Sequence, residues 1–73
     1  MTAKEMMIDL NYKITLDIED YLVYTHIENN DLYIEFLKKY KVVGGLPTYD
    51  YFCDMPLLKA INQQCKELGW LDE

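Results

Sequence analysis

The sequence predicts an α+β fold: an antiparallel β-hairpin, with a third strand as an alternative, followed by two or three helices packed on one face. Three observations carry this. Residues 7–18, MIDLNYKITLDI, alternate apolar and polar side chains. Residues 21–28, YLVYTHIE, are rich in β-branched and aromatic side chains. Residues 56–68 place apolar side chains at helical spacing. A period of two marks a half-buried strand, and a period near 3.6 marks an amphipathic helix.

Taken in order, the first predicted strand puts Ile8, Leu10, Tyr12, Ile14, Leu16 and Ile18 on one face. Asp9, Asn11, Lys13, Thr15 and Asp17 take the other. The link at residues 18–20 is short and acidic, which suits a hairpin into the second strand, Tyr21–Glu28. Residues 31–43 carry two patterns. LYIEF after the ENND turn reads as a third strand, but more signals favour a helix. Asn30 can cap it, Asp31 sits in its first turn, Lys38, Lys39 and Lys41 lie near its end, and Gly44 follows. Leu32, Phe36, Tyr40 and Val43 would share its buried face. Residues 44–47, GGLP, form a connector, and Thr48 can cap a helical turn over residues 48–54. Pro56 opens the last helix, with Leu57, Ile61, Cys65 and Leu68 as its buried stripe. Lys59, Asn62, Gln63, Lys66 and Glu67 face away. Loss of Glu67 is therefore expected to cost almost nothing, against about 2–5 kcal/mol for Ile61→Ala. Gly69 ends the helix and Trp70 folds back onto the core.

Residues 1–73 make one small acidic domain. A chain this short buries only about 60% of its unfolded surface. Hydrophobic residues make up 51% of it, enough for one core. No run reaches the roughly 18 apolar residues of a membrane span, and the start lacks the pattern of a signal peptide. Cys53 and Cys65 are thus expected to be reduced thiols in the cytoplasm. Thirteen acids oppose seven lysines, for a net charge of −6, and arginine is absent. Phosphate contact needs positive charge, so direct binding of nucleic acid is not expected.

Few residues point to catalysis. His26 is the one histidine, and the cysteines lack zinc spacing. His26 with Cys53 and Cys65 could make a metal site, and Cys53 with His26 a nucleophile pair, but both are expected to be packing residues. Asp50 with Asp54, and Asp31 with Glu35, could each share a helix face and bind a cation, though a solvated face is the expected reading. No cofactor, metal or enzymatic activity is expected. Residues 21–35, YLVYTHIENNDLYIE, have VY at 23–24 and YI at 33–34, and so resemble the opening hairpin of GIY-YIG nucleases. Glu35 stands where that family has its second glycine, and no arginine is present for the family's catalytic position. Nuclease chemistry is therefore not expected.

The stretch from Asp17 to Glu35 is acidic and tyrosine-rich. Asp17, Glu19, Asp20, Tyr21, Tyr24, Glu28, Asp31, Tyr33 and Glu35 are the candidate partner-binding residues. They predict a protein-protein interaction module, a small regulator or assembly subunit, whose partner has a basic surface. A second reading is a phage-type inhibitor that mimics nucleic acid: alternate strand carboxylates stand about 6.6 Å apart, near two base-pair rises. A third is a structural protein. The long first strand would lie at an open edge, and this predicts a homodimer joined through it.

Overall fold

The computed structural model describes residues 1–45 and 54–71. Among them the elements run α1 (Ala3–Asp9), β1 (Tyr12–Asp17), β2 (Tyr21–His26), β3 (Tyr33–Leu37), β4 (Val42–Gly44) and α2 (Met55–Glu67). The strands form one antiparallel sheet in the order β1-β2-β3-β4. The fold is α+β, and the expected hairpin is β1–β2. Its link closes with the Ile18 N–H donating to the Tyr21 carbonyl at 2.9 Å. The expected turn over residues 48–54, with Thr48, Asp50 and Cys53, lies outside the described residues except for Asp54.

Two sequence expectations are corrected. Residues 7–9 belong to a helix rather than to the first strand. Thr2 and Glu5 form a capping box: the Thr2 hydroxyl accepts the Glu5 N–H, and the Glu5 carboxylate accepts the Thr2 N–H at 2.9 Å. These bonds hold the Glu5 carboxyl below its ordinary range, the Thr2 backbone N–H having the largest effect. The helix stops at Asn11, whose φ of 70° lies in the left-handed region that asparagine tolerates. Thus Ile8, given to the core by alternation, is exposed.

The second correction concerns residues 31–43, which form β3, a turn and β4 instead of a helix. The residues opposite one another explain it. Phe36 faces Leu22 and Ile34 faces Tyr24 across β2–β3. In this register Ile34 and Phe36 both bury fully, whereas a helix would have buried Tyr40, which is 67% exposed. Lys41, at φ 55°, reverses the chain into β4. Among the described residues one helix precedes the hairpin and one follows the sheet, rather than a series following the hairpin.

One core results. Met7 of α1, Tyr12, Leu22, Tyr24, Ile34 and Phe36 of the strands, and Leu57, Ala60 and Ile61 of α2 form a single buried cluster. Helix α2 matches its predicted stripe, with Cys65 and Leu68 packed at the margin of that cluster. Asp54 caps it, accepting the Leu57 N–H at 3.0 Å. At its other end the Trp70 N–H donates to the Cys65 carbonyl and the Gly69 N–H to the Lys66 carbonyl. This pair of bonds requires a left-handed residue, which Gly69 supplies at φ 78°. The chain turns back, and the Trp70 ring meets Phe36 at 6.2 Å.

Glu67 is not idle. Its carboxylate accepts the Ala3 N–H at 2.7 Å and the Gln63 amide at 3.0 Å. The last turn of α2 thereby places a negative charge on the first turn of α1, where the helix dipole favours it. Glu67 is exposed, as expected, and this long-range bond gives it a contact that spacing alone did not predict.

Candidate functional site

The strands that bury Leu22, Tyr24, Ile34 and Phe36 turn their alternate residues the other way. Register defines that outer face in rows. Lys13, Thr25 and Tyr33 lie across β1, β2 and β3. Leu16, Val23, Glu35 and Gly44 lie across all four strands. Tyr21, Leu37 and Val42 lie across β2, β3 and β4. A bulge between Ile14 and Leu16 moves Leu16 onto this face, against the alternation that had placed it in the core. Leu16, Tyr21, Tyr33 and Val42 stand exposed by 38–46%. The Thr15 and Thr25 hydroxyls meet at 2.7 Å.

Glu35 sits in the middle row, half-buried. No hydrogen bond or ion pair holds its carboxylate among the described residues. Beside it the glycine pair has a steric role. A Cβ on Gly44 would stand 3.9 Å from Glu35 Oε1, and the Tyr33 ring occupies the space a Cβ on Gly45 would need. Gly45 also has φ 68°, so a side chain there would be strained twice over. The missing side chains leave room for Glu35 over Gly44 and for the Tyr33 ring against Gly45.

The nine residues singled out from the sequence are not all brought together. Tyr21, Tyr33 and Glu35 share the outer face. Asp17, Glu19 and Asp20 gather at the β1–β2 link, and Glu28 and Asp31 in the connection at the other end of β2. Asp17 is paired with Lys38 Nζ at 3.2 Å, and the same ammonium donates to the Ile18 carbonyl at 2.7 Å. Tyr24 is a correction: it lies in the core, 1% exposed, and its hydroxyl donates to Gln64 Oε1 at 2.6 Å. Burial first, then the Glu67 and Asp17 carboxylates, push its pKa up to about 12. Leu16, Val23, Leu37, Val42 and the glycine pair were missed. Reading LYIEF as a strand would have found Leu37 beside Tyr33 and Glu35.

Of the residues considered for chemistry, His26, Asp31 and Asp54 have structural roles. His26 stacks edge-on against Tyr12 at 5.1 Å, and its Nδ1 accepts the Glu28 N–H at 3.2 Å. Asp54 is the α2 cap, and Asp31 donates its N–H to Asn29 Oδ1 at 3.0 Å in a turn. Cys65 is a free thiol whose pKa is raised by burial. No three His, Cys, Asp or Glu among the described residues are grouped to hold a metal. A groove of about 350 Å³ between the helices is lined by Met6, Asp9, Leu10, Met55, Pro56 and Lys59. A smaller pocket of about 190 Å³ is lined by Asp20, Tyr21, Leu37, Lys39 and Tyr40. Neither set contains a thiol, an imidazole or an aliphatic hydroxyl. No described helix is long and apolar enough to cross a membrane. No family model, curated protein or solved structure matches the chain.

Proposed function

We propose that the chain is a non-enzymatic protein-binding module whose working surface is the outer face of its sheet. One observation carries the reading: Leu16, Tyr21, Tyr33 and Val42 are each more than a third exposed on a face that the buried cluster does not use. Tyrosine offers rigid, amphipathic area at low entropic cost, as binding surfaces require. The acids at both ends of β2 form a rim that speeds encounter with a basic partner. The free thiol of Cys65 suits a reducing compartment such as the cytoplasm.

The same charge supports an inhibitor that imitates nucleic acid, but less well. Its acids are divided between the two ends of β2, and Lys38 neutralises Asp17. Self-association through β1 has one favouring observation, since β1 is an edge strand. The bulge and Lys13 on that strand are devices that blunt such pairing.

Chemical cross-linking in the source cell tests the proposal. Wild type should capture a partner that Val23→Lys, placing a charge in the middle row, does not. Capture should survive 0.5 M salt in part, because burial of apolar area is not screened. Equal capture by both proteins overturns the outer-face reading. Capture abolished by salt alone favours the mimic.

A further inference from the structure

We propose that the outer face seats an arginine side chain of its protein partner, stacked on Tyr33 and paired with Glu35. The inference rests on the outer-face reading and names the chemistry that the face recognises. Tyr33 and Glu35 are two residues apart on β3, so their side chains leave the same face about 6.6 Å apart. The Tyr33 ring lies against Gly45, in the space a side chain there would fill, and Glu35 stands over Gly44. Glu35 beside it is a half-buried carboxylate without an ion-pair partner among the described residues. Its neighbours across the sheet are Val23 and Gly44, which offer no charge.

An aromatic face next to an unpaired carboxylate is complementary to a planar cation. A guanidinium can stack on the ring and direct its fork of N–H donors to the carboxylate. An ammonium has neither the plane nor the fork, so lysine fits less well. The occupant comes from another protein. The chain contains no arginine. A two-fold pairing of these faces about their middle row would also set Glu35 against its own copy, and like charges in apposition suppress such pairing.

The test is an NMR titration of the ¹⁵N-labelled full chain with three blocked heptapeptides, Gly-Ser-Leu-X-Leu-Ser-Gly. X is arginine, lysine or citrulline, the neutral isostere of arginine. The arginine peptide should give saturable shifts at the amides of Tyr33, Glu35, Gly44 and Gly45. It should bind more tightly than the lysine peptide, and the citrulline peptide should give no saturable shift. Glu35→Gln and Tyr33→Leu should each weaken arginine binding about three- to fivefold, the loss expected for one exposed ion pair or one cation–π contact. Their amide spectra show that each variant stays folded. Three results overturn the seat: equal binding of arginine and citrulline, shifts centred on residues 17–20 or 28–31, or no saturable shift with any peptide. Failure of the outer-face reading looks different. If Glu35→Gln binds the partner as tightly as wild type while Val23→Lys loses it, the face stands and the arginine seat falls.

Discussion

The two faces of the sheet are made by the same strands and behave as different materials. On the inner face Leu22, Tyr24, Ile34 and Phe36 are at most 5% exposed, and a buried polar pair, Tyr24 with Gln64, satisfies itself. On the outer face the side chains are as large, but Glu35 lies among them without a partner among the described residues, and Tyr21 and Tyr33 stay more than a third exposed. Hydrophobic side chains thus do not by themselves mark a core. The inner set closes because Met7, Leu57, Ala60 and Ile61 arrive from two helices. Among the described residues no helix covers the outer set in this way, and Glu35 stands in its middle row.

The largest expected difference between the faces is in packing. Phe36→Ala should destabilise the fold by about 3–5 kcal/mol, a large share of what so small a domain has. The ring touches both Tyr24 and Trp70, at 6.1 and 6.2 Å between centroids, so the cavity cannot close easily. Urea unfolding followed by tryptophan fluorescence measures it directly. A loss below 1 kcal/mol would mean that the inner face is not the core.

Next comes the polar pair inside the core. Gln64→Leu leaves the Tyr24 hydroxyl without its acceptor and should cost about 1–3 kcal/mol. Adding Tyr24→Phe removes the orphaned group, so the double variant should recover most of the loss, a coupling that a double-mutant cycle reads. Alkali tests the burial of the same hydroxyl. Folding holds the Tyr24 proton up to about pH 12, whereas in the unfolded chain it leaves near pH 10. The contribution is whole below about pH 10 and is lost as pH rises towards about 12. Melts of wild type should therefore fall between those values more steeply than melts of Tyr24→Phe. Parallel curves would show that Tyr24 is not held by burial.

Much of the inner face was legible in the sequence, because its signals are local. The α2 stripe, the Gly69 stop and the return of Trp70 need only spacing and one glycine. The hairpin needed only alternation and a short link. Two things were harder. Ile8 and Leu10 continue the alternation of β1 by coincidence, and the Thr2-x-x-Glu5 capping box that decides for a helix is a weaker signal than six alternating apolar residues. Residues 31–43 have helical caps and a helical face, yet pairing with β2 buries Ile34 and Phe36 together, a gain that no local window contains. The site was legible only in part. Tyr21, Tyr33 and Glu35 were named for their acidic, aromatic composition, and which of them share a face depends on a register set by the whole sheet. Tyr24 was named on the same grounds and belongs to the core.

Between the helices the expected effect is smaller. Glu67→Ala should cost about 1 kcal/mol, since it removes a charged acceptor from the Ala3 N–H in the first turn of α1. Glu67→Gln should lose less, because an amide oxygen can still accept while the charge–dipole part is gone. Chemical denaturation resolves the two. If Glu67→Ala were neutral, α1 would be held by its own capping box and by the packing of Ala3, Met6 and Met7.

The smallest expected effect belongs to the outer face. Leu16→Thr and Val42→Thr should each change stability by less than about 0.5 kcal/mol, the range of surface substitutions away from special features. Both residues are more than 40% exposed, and threonine has the β-branched shape that strands favour. The measurement gains meaning when repeated at several protein concentrations. A face that stays bare in the free protein gives a melting temperature independent of concentration in wild type and variants alike. A face covered by a second copy gives a wild-type melt that rises with concentration, by mass action, and a threonine variant that loses the rise. Melts between about 1 and 100 μM span dimers of roughly 6–8 kcal/mol. A concentration-dependent wild type with flat variants would make the outer face an interface between copies and remove the reason to seek a basic partner there. A dependence that the threonine variants keep, and that Lys13→Pro abolishes, would place self-association at the β1 edge. The outer face would then remain open for another protein.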